Sequence, residues 1–150
     1  MAQGDGVVFN NFKEVVMNGV FNLASGGHTL KVTLHTGLTV NIDTQAVWAD
    51  ISATEYTTGS GYTAGGKTLT SQATAQDNTN DRGTFDAADV TWTSLGPLSP
   101  ATPSHLVLWD DTPTTPQADP LIAVWELGTT ATNGGDYTIQ WGSAGILLLT

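Results

Sequence analysis

Residues Gly61–Thr68, GYTAGGKT, satisfy G-x-x-x-x-G-K-[ST]. With that spacing a glycine-rich loop turns its backbone N–H groups onto phosphate and adds a lysine and a hydroxyl. Further on, LVLWD (Leu106–Asp110) has the form of an apolar strand whose terminal Asp holds magnesium. Together the two would hydrolyse a nucleotide. Other residues offer other chemistry. His105 could join a Ser–His–Asp arrangement, although no G-x-S-x-G elbow accompanies it. Asp86, Asp89, Asp110 and Glu126 could pair across strands for glycoside hydrolysis. Asp77, Asn78, Asn80 and Asp81 offer oxygen ligands for calcium, but Thr79 and Arg82 break the EF-hand spacing.

Each arrangement needs elements that would position it. A phosphate loop leaves a buried parallel strand and enters a helix whose N-terminus faces the anion. Here SATEYTTGS precedes the glycines without an apolar run, and LTSQATAQDNTN follows with period-two alternation. Lys67 therefore leads into a strand, the glycines supply positive-φ turns, and Tyr62 anchors the loop by burying its ring. The stretch after Asp110 is rich in Pro and Thr and returns directly to another strand, so Asp110 and Asp111 flank the turn of an antiparallel pair. The acidic DNTNDRG segment reads as a solvated turn, and His35 as a residue on the polar face of a hairpin.

The charge balance narrows the partners. Four cations (Lys13, Lys31, Lys67 and Arg82) stand against fourteen acids, giving a formal charge of -10. Nucleic-acid binding requires a basic patch, which four scattered cations cannot build. Charged residues make up only 12 % of the chain, so its 25 threonines carry much of the solvation and favour strands. No cysteine is present, which removes disulfides and thiolate metal sites. Nothing resembles a signal peptide, and no apolar run is long enough for a membrane helix. The expectation is a soluble chain made in a cytoplasm, with no cofactor, no metal, and neither nucleic acid nor membrane as partner.

Helical spacing occurs once, in NNFKEVVMNGVFNLA, where Phe12, Val15, Val16, Val20 and Leu23 share a face. This predicts about three turns, capped by Asn10 or Asn11 with Glu14, and ended by SGGH at Ser25–His28. From Thr29 the period is two. HTLKVTLH and LTVNID read as a hairpin about Thr36–Gly37; TQAVWADISATEY reads as a helical turn. KTLTSQATAQ reads as a polar strand, and TFDAADVTWTSL places Phe85, Val90, Trp92 and Ser94 inward. Four compact strands follow, with a hairpin signal at TNGGD, Thr132–Asp136. The fold expected is mainly β: an antiparallel β-sandwich or jelly-roll-like domain with one N-terminal helix. Residues 1–27 would form an arm and helix packed on a single domain of residues 28–150.

The order of FNNFKEVVMNGVFNL, HTLKVTLHTG, EYTTGSGYTAGGKTLT, GTFDAADVTWTSL, SHLVLWDD, PLIAVWELG and GGDYTIQWGSAGILLLT resembles that of small tailed-phage virion proteins. The resemblance spans essentially the whole chain, with GYTAGGKTL and FDAADVTW its most specific parts. It implies a non-catalytic virion structural protein, foremost a head decoration or cement protein on the capsid exterior that bridges subunits of the major capsid protein. A tail or neck component is the alternative within that class. A homo-oligomer, a trimer foremost, would suit local three-fold points. The apolar tip Val7, Val8 and Phe9, with Phe12, is the candidate capsid or subunit contact; stapling of the helix to its own domain is the alternative. Tyr62 and Trp109 are candidate exposed loop contacts, and would supply the stacking surfaces if the chain were instead a carbohydrate-binding β-sandwich module.

Overall fold

A computed structural model describes residues 6–100, 102–113, 115–128 and 130–150. Residues 1–5 of the predicted arm, Gly4 and Asp5 among them, lie outside the described residues. The fold is mainly β and antiparallel, with one α-helix near the N-terminus. The elements are β1 (Val7–Val8), α1 (Asn10–Met17), β2 (Leu30–His35), β3 (Lys67–Thr68), β4 (Ala73–Asp77) and β5 (Arg82–Asp86). β6 (Val90–Leu95), β7 (His105–Asp110), β8 (Leu121–Glu126), β9 (Gly135–Ile139) and β10 (Leu147–Leu149) complete the chain. They form a five-stranded sheet of order β1-β8-β7-β2-β3, a three-stranded sheet β10-β5-β4, and the pair β6-β9.

Period-two patterning explains how these sheets pack. Leu30, Val32 and Leu34 of β2, with Leu106 and Leu108 of β7, face one way and meet Phe85, Val90, Trp92, Tyr137 and Ile139 of the smaller sheets. That is the sandwich core. Val107 and Trp109 of β7 face the other way, toward Phe9, Leu38, Ile51, Val40, Ile42 and Trp48. The large sheet is thus buried on both faces. This overturns the hairpin expected from LTVNID: β2 pairs with β7 and β3, and the 38–42 apolar residues leave the sheet to cover its outer face. The "polar face" of β2 is buried too, with Thr33 and His35 fully enclosed.

Two 3-10 turns, Trp48–Asp50 and Ser52–Thr54, occupy the stretch expected to be a helical turn. α1 is shorter than expected. It stops at Met17 because Gly19 takes φ +71, well before the SGGH signal. Its N-cap is Phe9, without a side-chain cap bond. Asn10 instead donates to Asp43 at 2.6 Å and Asn11 to the Ala46 carbonyl at 3.2 Å, so both tie the helix to the 36–56 segment. Ser94 does not face inward: a bulge after Trp92 puts it at φ +51 on the surface and turns Leu95 into the core. TNGGD does not close a β8–β9 hairpin either, because β8 pairs with β7 and β1 while β9 pairs with β6. The segment crosses between sheets instead.

Candidate functional site: an apolar groove beside an internally satisfied glycine loop

Lys67 does leave the glycines as a strand, with Lys67 and Thr68 paired to Val32 and Lys31. Gly61, Gly65 and Gly66 all take positive φ. Several of the loop's polar groups are spent within the fold. The Gly65 N–H donates to Glu55 Oε1 at 2.7 Å, and the Tyr62 hydroxyl donates to the same oxygen at 2.8 Å. A carboxylate from the chain thus holds the place a ligand anion would take. Burial lifts Glu55 above the usual carboxylate range, against these two hydrogen bonds.

Tyr62 is buried, as its anchoring role requires, which removes it as an exposed contact. Its hydroxyl also accepts the Leu34 N–H at 3.1 Å, filling a ladder position beyond the two-residue β3. Tyr62→Phe should therefore strand a buried N–H and destabilise the fold by about 2 kcal/mol in urea unfolding. It should also raise the Glu55 pKa further, read by NMR titration, since one of the bonds that favour its charged form is lost. Trp109 is likewise buried: its ring stacks on Trp48 at 4.7 Å and Lys31 covers it at 5.4 Å. Neither aromatic offers a face to a sugar, because both fill gaps between layers.

The remaining constellations assemble at most in part. Asp110 is enclosed and paired to His28 at 2.6 Å, with burial raising its pKa and His28 opposing that rise. Register places Asp110 opposite Leu30 at one end of β7, and Glu126 opposite His105 at the other. Asp89 accepts the Trp141 N–H at 3.0 Å. Ser104 Oγ lies 2.9 Å from His105 Nδ1 and 3.1 Å from the His35 carbonyl, which also accepts the Ser104 N–H at 2.8 Å. Asp77 closes the DNTNDRG turn through Asn80 and Arg82, and no metal-ligand cluster of three occurs among the described residues.

What the surface does offer is apolar. A groove of 550 Å³ runs between α1 and the β10-β5-β4 sheet. Val8, Phe12, Val16 and Met17 line one side; Phe85, Leu147 and Leu149 line the other. Met17 is 80 % exposed, Leu149 73 %, Val7 49 % and Leu148 44 %, the large apolar side chains left in solvent among the described residues. Three of these four line the groove and Val7 adjoins Val8. Lys13 is the one charged residue in its lining, although the chain carries fourteen acids.

The four proposed contact residues divide here. Val7 is exposed and Val8 half-buried against the main core, whereas Phe9 is wholly enclosed on the outer face of the large sheet and Phe12 packs in the main core. Phe9 and Phe12 thus anchor the arm and helix to their own domain. The β10 leucines carry a signal in the sequence. In AGILLLT three successive leucines enter a strand, and alternation forces at least one outward whichever face is buried. No helix among the described residues is long and apolar enough to cross a membrane. Comparison with protein-family models, with curated proteins and with solved structures finds no match to this chain.

Proposed function

We propose that this chain is a non-catalytic virion structural protein, a head decoration protein that docks on the major capsid protein of a tailed phage and bridges neighbouring subunits. The observation that carries the reading is the groove: Met17, Leu148 and Leu149 surround one acid-free depression on an otherwise acidic molecule. A contiguous apolar patch of this kind marks an interaction surface. Elsewhere the carboxylates of Glu55, Asp77, Asp89 and Asp110 are tied into turns and ion pairs, which suits a building element. The net charge of -10 disfavours contact with packaged DNA and suits the outside of a shell. Many copies on a lattice add avidity to a modest single contact.

The test uses tailed-phage particles whose genome encodes this chain. Quantitative mass spectrometry should find it at a copy number comparable with the major capsid protein, and immunogold should decorate heads. Labelling confined to tails or necks would assign it to the rival position, and absence from particles would overturn the reading. Met17→Asp and Leu149→Asp should each weaken binding to undecorated shells at least tenfold, about 1.4 kcal/mol, without lowering Tm, because both side chains are largely in solvent already.

A further inference from the structure

The groove continues into a second depression of 330 Å³, and the two share Val8, Leu147 and Leu148. Gly6 and Val8 stand on one side of this cleft and Ile146, Leu147 and Leu148 on the other. β1 is the edge of the five-stranded sheet and β10 the edge of the three-stranded one. The cleft therefore lies between two sheet edges that belong to different sheets.

The β1 edge has open backbone groups. Phe9 donates its N–H to the Ile122 carbonyl at 3.1 Å, which makes Phe9 and Ile122 a hydrogen-bonded pair. In an antiparallel ladder such pairs alternate, so Val8, opposite Ala123, turns its N–H and C=O away from β8. Neither edge carries a lysine or proline, and the shortness of β1 and β10, two and three residues, is what limits pairing along them.

We infer that this cleft takes an extended, apolar segment of a partner protein, which pairs along β1 and β10 and sets a carboxylate against Lys13. The inference rests on the reading of the groove as a docking surface and names what docks there. Three observations select this occupant. An apolar helix laid over the cleft would strip water from the Val8 N–H and C=O without replacing their hydrogen bonds, whereas a strand supplies partners for both. Lys13, whose ammonium donates to Asn10 at 2.8 Å, is the one charged side chain in the two linings together, so the complementary side chain is an Asp or Glu. Acidic groups are repelled by the rest of a chain of net charge -10, so this is where such a segment is accepted. A second copy fits less well: its exposed large apolar side chains among the described residues are those of the walls themselves, which leaves it no further apolar segment to insert.

The experiment presents the full chain to a displayed library of linear twelve-residue peptides. The expected winners alternate apolar and polar residues and carry Asp or Glu near one end. A synthetic winner should slow amide exchange at least tenfold at Val8 and at whichever of the Leu147–Leu149 amides points away from β5. N-methylation of one inward-facing peptide N–H should abolish binding. Lys13→Glu should reverse the selected charge to Lys or Arg without changing Tm. Enrichment of helical periodicity, no enrichment, or a charge preference indifferent to Lys13→Glu would overturn the inference. So would a stable dimer in sedimentation that itself protects these amides. Failure here with retained, Leu149-dependent shell binding would remove strand addition alone. Peptide binding by a chain absent from particles would remove the virion reading alone.

Discussion

Replacing Gly66 by alanine should destabilise the fold by about 4 kcal/mol, the sum of backbone strain and overpacking at one position. Gly66 has φ +69, a region in which a side chain crowds its own carbonyl. A Cβ there would also overlap the Val32 carbonyl oxygen and lie 2.7 Å from Thr33 Cγ2. Val32 belongs to the central strand β2, which is pinned on both sides by β3 and β7 and so has no room to retreat. Gly65 is the internal control. It has φ +89 but open space around its missing Cβ, so Gly65→Ala should show only the backbone part, about 1–2 kcal/mol. Urea unfolding of both variants checks this; equal losses would mean that the close approach to β2 carries no weight. Gly66 is therefore required by β2 and not by an anion.

The second large effect concerns acid. His35 is enclosed between the large sheet and the 36–56 segment, edge-on to Trp48 at 5.6 Å. Burial first, and the nearby His105 second, hold its pKa down at about 4. Thr54 gives its hydroxyl proton to the Ile51 carbonyl and so accepts from His35 Nδ1 at 3.0 Å. Thr33 Oγ1 then donates to Nε2 at 2.9 Å, with the Val107 carbonyl a more distant acceptor at 3.5 Å. The neutral ring is fully satisfied, and charging it adds only the cost of an enclosed cation. An unfolded chain binds this proton near pH 6.5, the folded chain near 4. His35 therefore contributes stability that is complete above pH 6.5 and lost as pH falls to about 4, roughly 3 kcal/mol in all. Glu55, Asp110 and Asp119 act in the opposite sense, because burial raises each and the folded state takes up their protons first. The effect of His35 is isolated by comparison with His35→Gln. Between pH 7 and 4 the wild type should lose about 3 kcal/mol more than the variant in denaturant unfolding. Parallel curves would show that the imidazole is not carried neutral in the fold.

The strands with clear alternation were legible in the sequence, and so was the exit of the glycine loop into a strand, because period two and the absence of a helical stripe report backbone state directly. What pairs with what was not. LTVNID has the alternation of a hairpin partner, yet Leu38, Val40 and Ile42 are used as a lid on the sheet's outer face. The same blind spot misplaced His35 and Trp109, which look amphipathic in sequence and are enclosed by the second buried face of the sheet, whereas Tyr62, expected both as a buried anchor and as an exposed contact, is buried in the main core. α1 ended early because a single Asn–Gly step outweighed the continuing apolar spacing to Leu23. Of the groove, Val8 and Phe12 were legible as apolar residues near the N-terminus. Its far wall depends on β10 pairing with β5, a contact between residues about sixty positions apart that local pattern does not encode.

The near-parallel indoles of Trp48 and Trp109, inclined by 15°, bind a coil excursion to a central strand. Two transition dipoles so close mix their excited states, and the resulting split band in ultraviolet circular dichroism belongs to neither ring alone. A second pair, Trp125 and Trp141 at 5.4 Å, couples as well, so the part of the band that Trp48→Phe removes is the part that exists only while the 36–56 segment lies on the sheet. The molecule thereby carries its own optical gauge of lid attachment, readable without any label and separable from loss of the strands beneath.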